Sequence, residues 1–276
     1  MSCQSRSASI ALASLPVLLA ASCGPAPATP PGPFVIRVAA PRTAAHLVQA
    51  LAASYRELHS NTTLQFLPAE ELAAANAVRD GAADLALCAA EPRPEEPRLE
   101  VQPLARQPIA VIVNRLNQVN VLTTDQLRGL FTGRITDWQA LGTESGPVTV
   151  VSREDGAPTR TAFEGALLSD GSRVTRNARV FSSEEAVVKE VSARKGTVGY
   201  VLSSYVDGEV KALLVDGQAP EVQSVLGGRY RLYRMLFLVR PVALTGSMQD
   251  FVDHLLGSGG RRVLAAGGYA PVAEGR

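Results

Sequence analysis

The first folded part of this sequence alternates between segments typical of strands and segments typical of helices. Strand-forming runs occupy Phe34–Ala40, Thr63–Leu67 and Ala83–Cys88. Apolar residues recur at helical spacing in the two segments between them, Thr43–Leu58 and Glu70–Arg79. A β-α-β-α-β order is typical of parallel strands joined by covering helices. The alternation therefore predicts an α/β fold.

The same alternation continues through the rest of the chain. Further strands are predicted at 109–114, 148–152, 197–202 and 230–239. Further helices are predicted at 124–131, 159–168 and 183–194, and residues 247–266 are predicted to form one or two helices. Thr124 is the predicted cap of the helix that it opens. We find no internal repeat that would indicate a solenoid.

Composition limits the class of partner. The 276 residues include 46% hydrophobic and 19% charged residues, which is enough apolar material for one large or two medium domains. Lys and Arg number 27 against 26 Asp and Glu, a formal charge of +1. Because no broad basic field exists, nucleic acid is excluded as the main partner, whereas a small anion needs only local charge.

The N-terminus has the pattern of an export signal. Arg6 precedes an apolar run, Ile10–Ala21, that is too short to span a bilayer. The sequence Leu-Ala-Ala-Ser-Cys, which ends at Cys23, resembles a bacterial lipobox. We therefore predict a signal peptide at 1–22 and lipidation of Cys23, so that the protein is exported and anchored on the periplasmic or extracytoplasmic face of the cell membrane. The alternative is an ordinary secretory signal cut near Ala21, with Cys23 incidental.

Residues 23–33 are rich in proline and predict an extended tether between the lipid and the folded part. Cys3 leaves with the signal and Cys23 carries the lipid, so Cys88 remains without a possible intrachain disulfide partner. Its apolar surroundings predict a buried cysteine at a strand end.

The sequence does not favour an enzyme. His46, His59 and His254 are scattered and are predicted to lie at the surface, and the metalloprotease, hydrolase and phosphate-loop motifs are missing from the sequence. We predict no catalytic residue, no metal site and no cofactor.

Five segments carry a resemblance in a consistent order. They are Pro108–Asn114 (PIAVIVN), Leu122–Trp138 (LTTDQLRGLFTGRITDW), Val150–Arg160 (VVSREDGAPTR), Gly196–Val201 (GTVGYV) and Gly267–Val272 (GGYAPV). Together they resemble the phosphate-binding periplasmic proteins of phosphate ABC importers, across roughly the whole mature chain.

The resemblance implies a type II periplasmic-binding-protein fold, in which two α/β lobes enclose a ligand cleft. Lobe 1 would comprise residues 34–108 and 209–276, and lobe 2 residues 109–208. It further implies a monomer that binds phosphate or a related oxyanion and delivers it to ABC permease subunits.

By the same resemblance, lobe 2 supplies a family arginine at Arg153, the carboxylate that orients it at Asp155, and a close-approach glycine at Gly156. Thr159 supplies a hydroxyl at a helix start. The family's Ser-Gly before that threonine is here Ala157-Pro158, which removes a hydroxyl donor and an N–H donor. On the alternative interpretation, Arg153 and Asp155 form a purely structural pair and Pro158 is a favourable first helical residue.

Lobe 1 departs further from the family. Thr43 is expected to cap the first helix and present its hydroxyl, and Arg42 either adds a donor or points to solvent. Where the family carries Gly-Ser-Gly, this chain has Glu70 and Glu71, which would repel an anion. We therefore hypothesise that Glu70 or Glu71 pairs with Arg153 and mimics a bound anion. The alternative function is that of a binding-protein-fold lipoprotein with a sensor or interaction role and a different ligand or none.

Overall fold

The structure, a computed structural model, describes residues 34–89, 98–169 and 171–272. The predicted signal peptide, Cys23 and the proline-rich tether lie outside these residues, and those predictions are not tested by the structure. Within the described ranges no helix is long and apolar enough to cross a membrane.

The described chain begins with alternating strands and helices, as the sequence predicts, and both kinds of element continue to its end. The strands are β1 (Phe34–Ala40), β2 (Thr62–Pro68), β3 (Leu85–Cys88), β4 (Leu99–Asn114), β5 (Val121–Leu122), β6 (Thr149–Arg153), β7 (Arg179–Phe181), β8 (Thr197–Leu202), β9 (Val210–Ala212), β10 (Leu214–Val215), β11 (Tyr233–Pro241) and β12 (Ala270–Pro271). The helices are α1 (Ala45–Arg56), α2 (Glu71–Arg79), α3 (Thr124–Phe131), α4 (Pro158–Leu167), α5 (Glu184–Ala193), α6 (Val222–Leu226), α7 (Ser247–Leu256) and α8 (Ser258–Ala266).

Most strands join one mixed sheet in the order β2-β1-β3-β11-β4-β8-β6-β7. β1 pairs in parallel with both β2 and β3, which confirms the parallel β-α-β-α-β unit predicted for the first segments. β6 likewise lies parallel to β8 and β7. β11 and β4 run antiparallel to their neighbours in the middle of the sheet.

Strand β4 runs through the middle of the sheet and changes partner along its length. Its first part pairs with β11 as far as Pro108, opposite Tyr233. From Ile109 onward it pairs with β8, and near its end also with β9. Side chains from Ile109 to Val113 are fully buried, because apolar clusters cover both faces of this part of the strand.

The apolar clusters lie on either side of this change of partner. Before it, α1, α7 and α8 pack on one face of β1, β3 and β11, and α2 packs on the other face. After it, α3 and α4 pack on one face of β6 and β8, and α5 packs on the other. Both β-sheet halves are therefore covered on two faces, as a doubly covered parallel sheet requires.

Two predicted helix starts are corrected by the structure. Thr123, not Thr124, caps α3: its side chain accepts a hydrogen bond from the N–H of Gln126, whose own side chain accepts from the N–H of Thr123. Thr43 does not cap α1, because it lies in a short 3-10 turn and the helix begins two residues later, after Ala44. The predicted segment 247–266 forms two helices, α7 and α8.

Candidate functional site

The turn between β6 and α4 positions the first group of candidate residues. β6 ends at Arg153, and α4 begins at Pro158, a residue suited to the first helical position because its missing N–H has no helical partner there. Gly156 lies between them with a φ of 82°, in the left-handed region that favours glycine. The position of Pro158 at the start of α4 supports the alternative interpretation of the sequence, in which Pro158 is a favourable first helical residue.

The backbone of Arg153 is fixed from two sides. Its N–H donates to the hydroxyl of Tyr200 at 3.3 Å, and its carbonyl accepts from Nη1 of Arg160 at 2.9 Å. Burial is the largest influence on the Tyr200 hydroxyl and raises its pKa to about 12, so that this group stays protonated at neutral pH.

Every nitrogen of the Arg153 guanidinium donates a hydrogen bond. Nη1 donates to Oε1 of Glu184 at 2.6 Å, Nη2 to the carbonyl of Ser182 at 2.8 Å, and Nε to the carbonyl of Phe181 at 3.3 Å. Only 9% of the residue is exposed. A buried guanidinium needs a charged partner, and here that partner is Glu184.

The carboxylate of Glu184 collects donors from three elements. Besides Arg153, the hydroxyl of Thr159 donates to Oε1 at 2.7 Å, and the N–H of Leu202 donates to Oε2 at 3.3 Å. Glu184 is 6% exposed and Thr159 is 1% exposed. An arginine, a hydroxyl and a backbone N–H that converge on one carboxylate form an anion-binding arrangement.

Asp155 does not orient Arg153, contrary to the role implied by the resemblance. Its carboxylate pairs with Arg160 at 2.7 Å, and its side chain is 93% exposed. The alternative interpretation, a purely structural pair of Arg153 with Asp155, is therefore also wrong. Glu184 reaches Arg153 because helix α5 begins beside the carboxyl end of β6.

A second buried cation lies on β11. Nε of Arg234 donates to Oε1 of Gln107 at 2.9 Å, and these two residues face each other across β11 and β4. Nη1 of Arg234 lies 3.8 Å from Oε1 of Glu71, at the start of α2. Oε2 of Glu71 accepts from the N–H of Ala89 at 2.5 Å. This second carboxylate thus joins a buried arginine to the end of β3.

Tyr205 lies within electrostatic reach of both glutamate–arginine groups. Burial, followed by the charges of Glu185 and Glu184, raises the pKa of its hydroxyl to about 12, although the charge of Arg234 acts in the opposite direction. Tyr269 is buried beside Arg234, Glu71 and Gln107, and its pKa is also raised, mainly by burial. Helix α4, which carries Thr159, also contacts β11, which carries Arg234. We call the two buried arginine pairs, together with these tyrosines, the polar region.

The structure does not join the remaining predicted site residues, Arg42 and Thr43, to this contact network. Arg42 and Thr43 are exposed, and among the described residues neither forms a hydrogen bond or ion pair with Arg153 or Thr159. The hypothesis that Glu70 or Glu71 pairs with Arg153 is wrong, because Arg153 pairs with Glu184. A carboxylate of the chain does pair with Arg153, but this carboxylate is that of Glu184 on α5.

Several predictions about other residues can be compared with the structure. Cys88 is buried, as predicted, and burial followed by the charge of Glu71 raises the pKa of its thiol to about 12. His59 and His254 are half-buried rather than superficial, because both rings pack against Tyr55. Across the described ranges, no group of three or more His, Cys, Asp and Glu side chains is arranged to hold a metal ion.

Comparison with known families places this arrangement in context. A family model described as a PBP superfamily domain matches residues 25–256, which is most of the chain. The chain belongs to the PBP superfamily. This membership confirms the fold class predicted from the sequence, an α/β fold of the periplasmic-binding-protein type.

Several curated relatives of this PBP superfamily protein are named as phosphate-binding proteins. Phosphate-binding protein PstS of Bacillus subtilis is 31% identical over 168 residues, which cover 60% of this chain and 55% of the relative. Phosphate-binding protein PstS 2 of Streptococcus pneumoniae (strain TIGR4) is 32% identical over 127 residues, 44% of each chain. This PBP superfamily chain thus spans about half the length of these curated relatives.

Solved structures resemble the chain over a larger share. A candidate phosphate ABC transporter substrate-binding protein from Clostridium perfringens, solved with bound phosphate, has a TM-score of 0.72 and 26% identity, and the match covers 86% of this chain and 99% of that one. An ABC-type phosphate transport receptor from Vibrio cholerae, with a TM-score of 0.67 and 24% identity, shows the shared fold. These relatives are binding proteins, in agreement with the expectation that the chain is not an enzyme.

Sequence reasoning missed Glu184, Gln107 and Arg234 as members of the polar region. The sequence predicts a helix over Ser183–Arg194 and assigns Glu184 no role; the helix dipole alone is a sufficient reason for an acid in the first turn. The signal that could have found it is local: Glu184 and Glu185 follow a capping serine, and only one of two adjacent helical residues can face the sheet.

Proposed function

We propose that this PBP superfamily protein is a lipid-anchored extracytoplasmic solute-binding protein that binds phosphate or a related small oxyanion for an ABC importer. The named functions of the curated relatives and the phosphate bound to the Clostridium perfringens structure support the proposal. In this account Cys23 carries the lipid, residues 23–33 form the tether, and the folded part acts as a monomer outside the cytoplasm.

The proposal that the ligand is an oxyanion rests on one observation. The guanidinium of Arg153 and the hydroxyl of Thr159 converge on a single carboxylate oxygen, Oε1 of Glu184. Donors that share one anionic oxygen inside the protein have the geometry needed for an oxygen of phosphate, because both ligands are negatively charged oxygen acceptors. Gly156 leaves the approach to this turn free of a side chain.

We further propose where the two lobes meet. The change of partner along β4 supports a first boundary between Pro108 and Ile109. For the second boundary, the contacts of residues 210–232 favour a later position than the predicted 208/209. β9 pairs with the second part of β4, and Leu213, Tyr230 and Leu232 join the apolar cluster of β6 and β8. Lobe 2 in this proposal extends to Leu232.

A second candidate function is a sensor or interaction role in which no oxyanion is carried. The ion pair of Arg153 with Glu184 favours this second candidate, because Glu184 already satisfies the donors of Arg153 and Thr159. The two candidates differ in whether free phosphate gains access to those donors.

Calorimetric titration with inorganic phosphate tests the proposed function. The protein is unfolded and refolded to remove any bound ligand, and wild type is compared with Arg153→Ala and Arg153→Lys. Losing a charge-assisted hydrogen bond costs about 1.5–3 kcal/mol, so we expect Arg153→Ala to weaken binding by roughly 10- to 100-fold or more. The lysine variant keeps the charge but loses the planar fork and should also bind more weakly.

Arg173→Ala provides the matched control, because Arg173 is an exposed arginine outside the contacts of Arg153. It should bind phosphate as wild type does. Absence of saturable heat for wild type, together with a melting temperature that excess phosphate leaves unchanged, would contradict phosphate binding and favour the sensor role.

A further inference from the structure

The carboxylate of Glu184 does not cap helix α5, although Glu184 lies in the first turn of that helix. Ser183 caps α5 through its own side chain, which accepts from the N–H of Ala186 at 3.2 Å. The two oxygens of Glu184 turn instead to Arg153, Thr159 and the N–H of Leu202.

The neighbouring residue shows the ordinary behaviour of an acid at this position. Glu185 lies in the same first turn of α5 and is exposed, whereas Glu184 is 6% exposed. Burial of a carboxylate is unfavourable unless charged and hydrogen-bonding partners compensate for lost hydration. The three donors around Glu184 therefore form a site that holds an anion, and the anion that it holds is part of the chain.

The other half of the polar region repeats this arrangement. Glu71 accepts from the N–H of Ala89 at the end of β3 and lies 3.8 Å from Arg234. In both places a glutamate from the first turn of a helix binds an arginine and a backbone N–H at the carboxyl end of a strand. The two buried arginines are thus each balanced by a negative charge from the chain.

We propose that Glu184 is a tethered anion that occupies the oxyanion donors of this protein and competes with any free oxyanion for them. The inference rests on the proposed function where it concerns phosphate, and it makes Glu184 the residue that sets oxyanion affinity. Phosphate reaches Arg153 and Thr159 only when the carboxylate of Glu184 leaves them. Since Arg153 and Glu184 together carry no net charge, the occupied site offers a dianion little attraction.

The first experiment measures phosphate affinity of the full chain by calorimetry in wild type, Glu184→Gln and Glu185→Gln. Glutamine keeps the shape of Glu184 but removes its charge, so the charge of Arg153 becomes available to phosphate. We expect Glu184→Gln to bind at least about tenfold more tightly than wild type, the factor that corresponds to one charge-assisted hydrogen bond. Glu185→Gln removes the same charge from an exposed neighbour and should stay within about twofold of wild type.

The second experiment does not depend on phosphate being the natural ligand. Glu184→Ala removes the tethered carboxylate and leaves room for a free one, and formate is the probe. We expect the melting temperature of Glu184→Ala to rise with formate concentration, because a ligand that binds only the folded state stabilises it. Glu185→Ala and wild type should show no such rise at the same formate concentrations.

The outcomes separate the two proposals. An affinity of Glu184→Gln for phosphate equal to or below that of wild type overturns the tethered-anion inference. If neither wild type nor any variant binds phosphate, the proposed function fails, and the formate experiment alone tests the tethered-anion inference. A formate response specific to Glu184→Ala then sustains this inference, and the absence of such a response overturns it. Should Glu184→Ala fail to fold, the phosphate comparison with the isosteric glutamine variant decides.

Discussion

At the scale of single residues, the acceptors of the Arg153 guanidinium all come from one short segment. Phe181 and Ser182 provide carbonyl oxygens and Glu184 provides a carboxylate, and these residues span the end of β7 and the start of α5. A guanidinium has its donors in one plane, so a continuous segment can satisfy several of them at once. Removing one partner of such a buried pair leaves the other charge uncompensated, which costs about 3–5 kcal/mol.

Asp84 is a residue whose contribution to stability depends on pH. Its carboxylate accepts from the backbone N–H, Nε and Nη2 of Arg37. Burial favours a higher pKa for Asp84, but the hydrogen bonds and charge of Arg37 outweigh burial, so its pKa lies below the ordinary value of 3.8. The folded protein therefore holds this carboxylate in its charged form more strongly than the unfolded chain does.

We predict that Asp84→Asn lowers the free energy of unfolding by about 1–2 kcal/mol near neutral pH. A group with a depressed pKa stabilises the fold above its unfolded pKa, and this stabilisation disappears as the pH falls through the folded value. The difference between variant and wild type should accordingly shrink below about pH 4. Urea unfolding across this pH range provides the measurement, with exposed Asp253→Asn as the control; a difference independent of pH would contradict the prediction.

At the scale of secondary-structure elements, helix starts were the least predictable feature. Two consecutive threonines, Thr123 and Thr124, stand at the start of α3, and both are suitable caps by residue type. Gln126 decides between them, because it stands at the third helical position after Thr123 and completes a reciprocal pair with it. The hydroxyl of Thr124 instead donates to Asp216 at 2.6 Å.

We predict that Thr123→Ala destabilises the protein by about 1 kcal/mol, the usual cost of losing a helix cap. Thr123→Ser keeps the hydroxyl and should cost only a small part of this amount. Chemical unfolding of the three proteins measures the difference. Equal stability of Thr123→Ala and wild type would show that the cap of α3 contributes nothing.

Strand β4 shows why an element's length can escape sequence patterns. The sequence predicts only 109–114, because this part is an unbroken apolar run. The preceding part contains Pro103 and Pro108, which weaken a strand prediction, yet it pairs with β11 on both sides of an irregularity at Leu104. Pairing with a strand more than a hundred residues away is a tertiary effect that local propensity does not report.

At the scale of the whole molecule, the fold was largely predictable and the site only in part. Periodicity and turn residues indicate which segments are strands and helices, and the parallel pairing of β1 with β2 and β3 follows from their order. Arg153 and Thr159 were predicted from the resemblance to the phosphate-binding family, which a contiguous segment, Val150–Arg160, carries. Glu184 was not, since its 31-residue separation from Arg153 carries no period and only the packed sheet brings the two together.

These observations give a consistent account of the molecule as a PBP superfamily protein. Its sheet brings strand ends and helix starts into one polar region, where Glu184 and Glu71 each balance a buried arginine. In the function proposed above, an external oxyanion competes with the carboxylate of Glu184 for Arg153 and Thr159. We therefore expect this protein to bind phosphate more weakly than a site whose arginine and hydroxyl donors are free.

A crystal structure of the full wild-type chain grown at high phosphate concentration tests this account most directly. We predict phosphate oxygens within hydrogen-bond distance of the Arg153 guanidinium and the Thr159 hydroxyl, with the carboxylate of Glu184 moved away from both. Glu184 still bonded to Arg153 and Thr159, with phosphate bound elsewhere or nowhere, would contradict the claim that these donors form the oxyanion site.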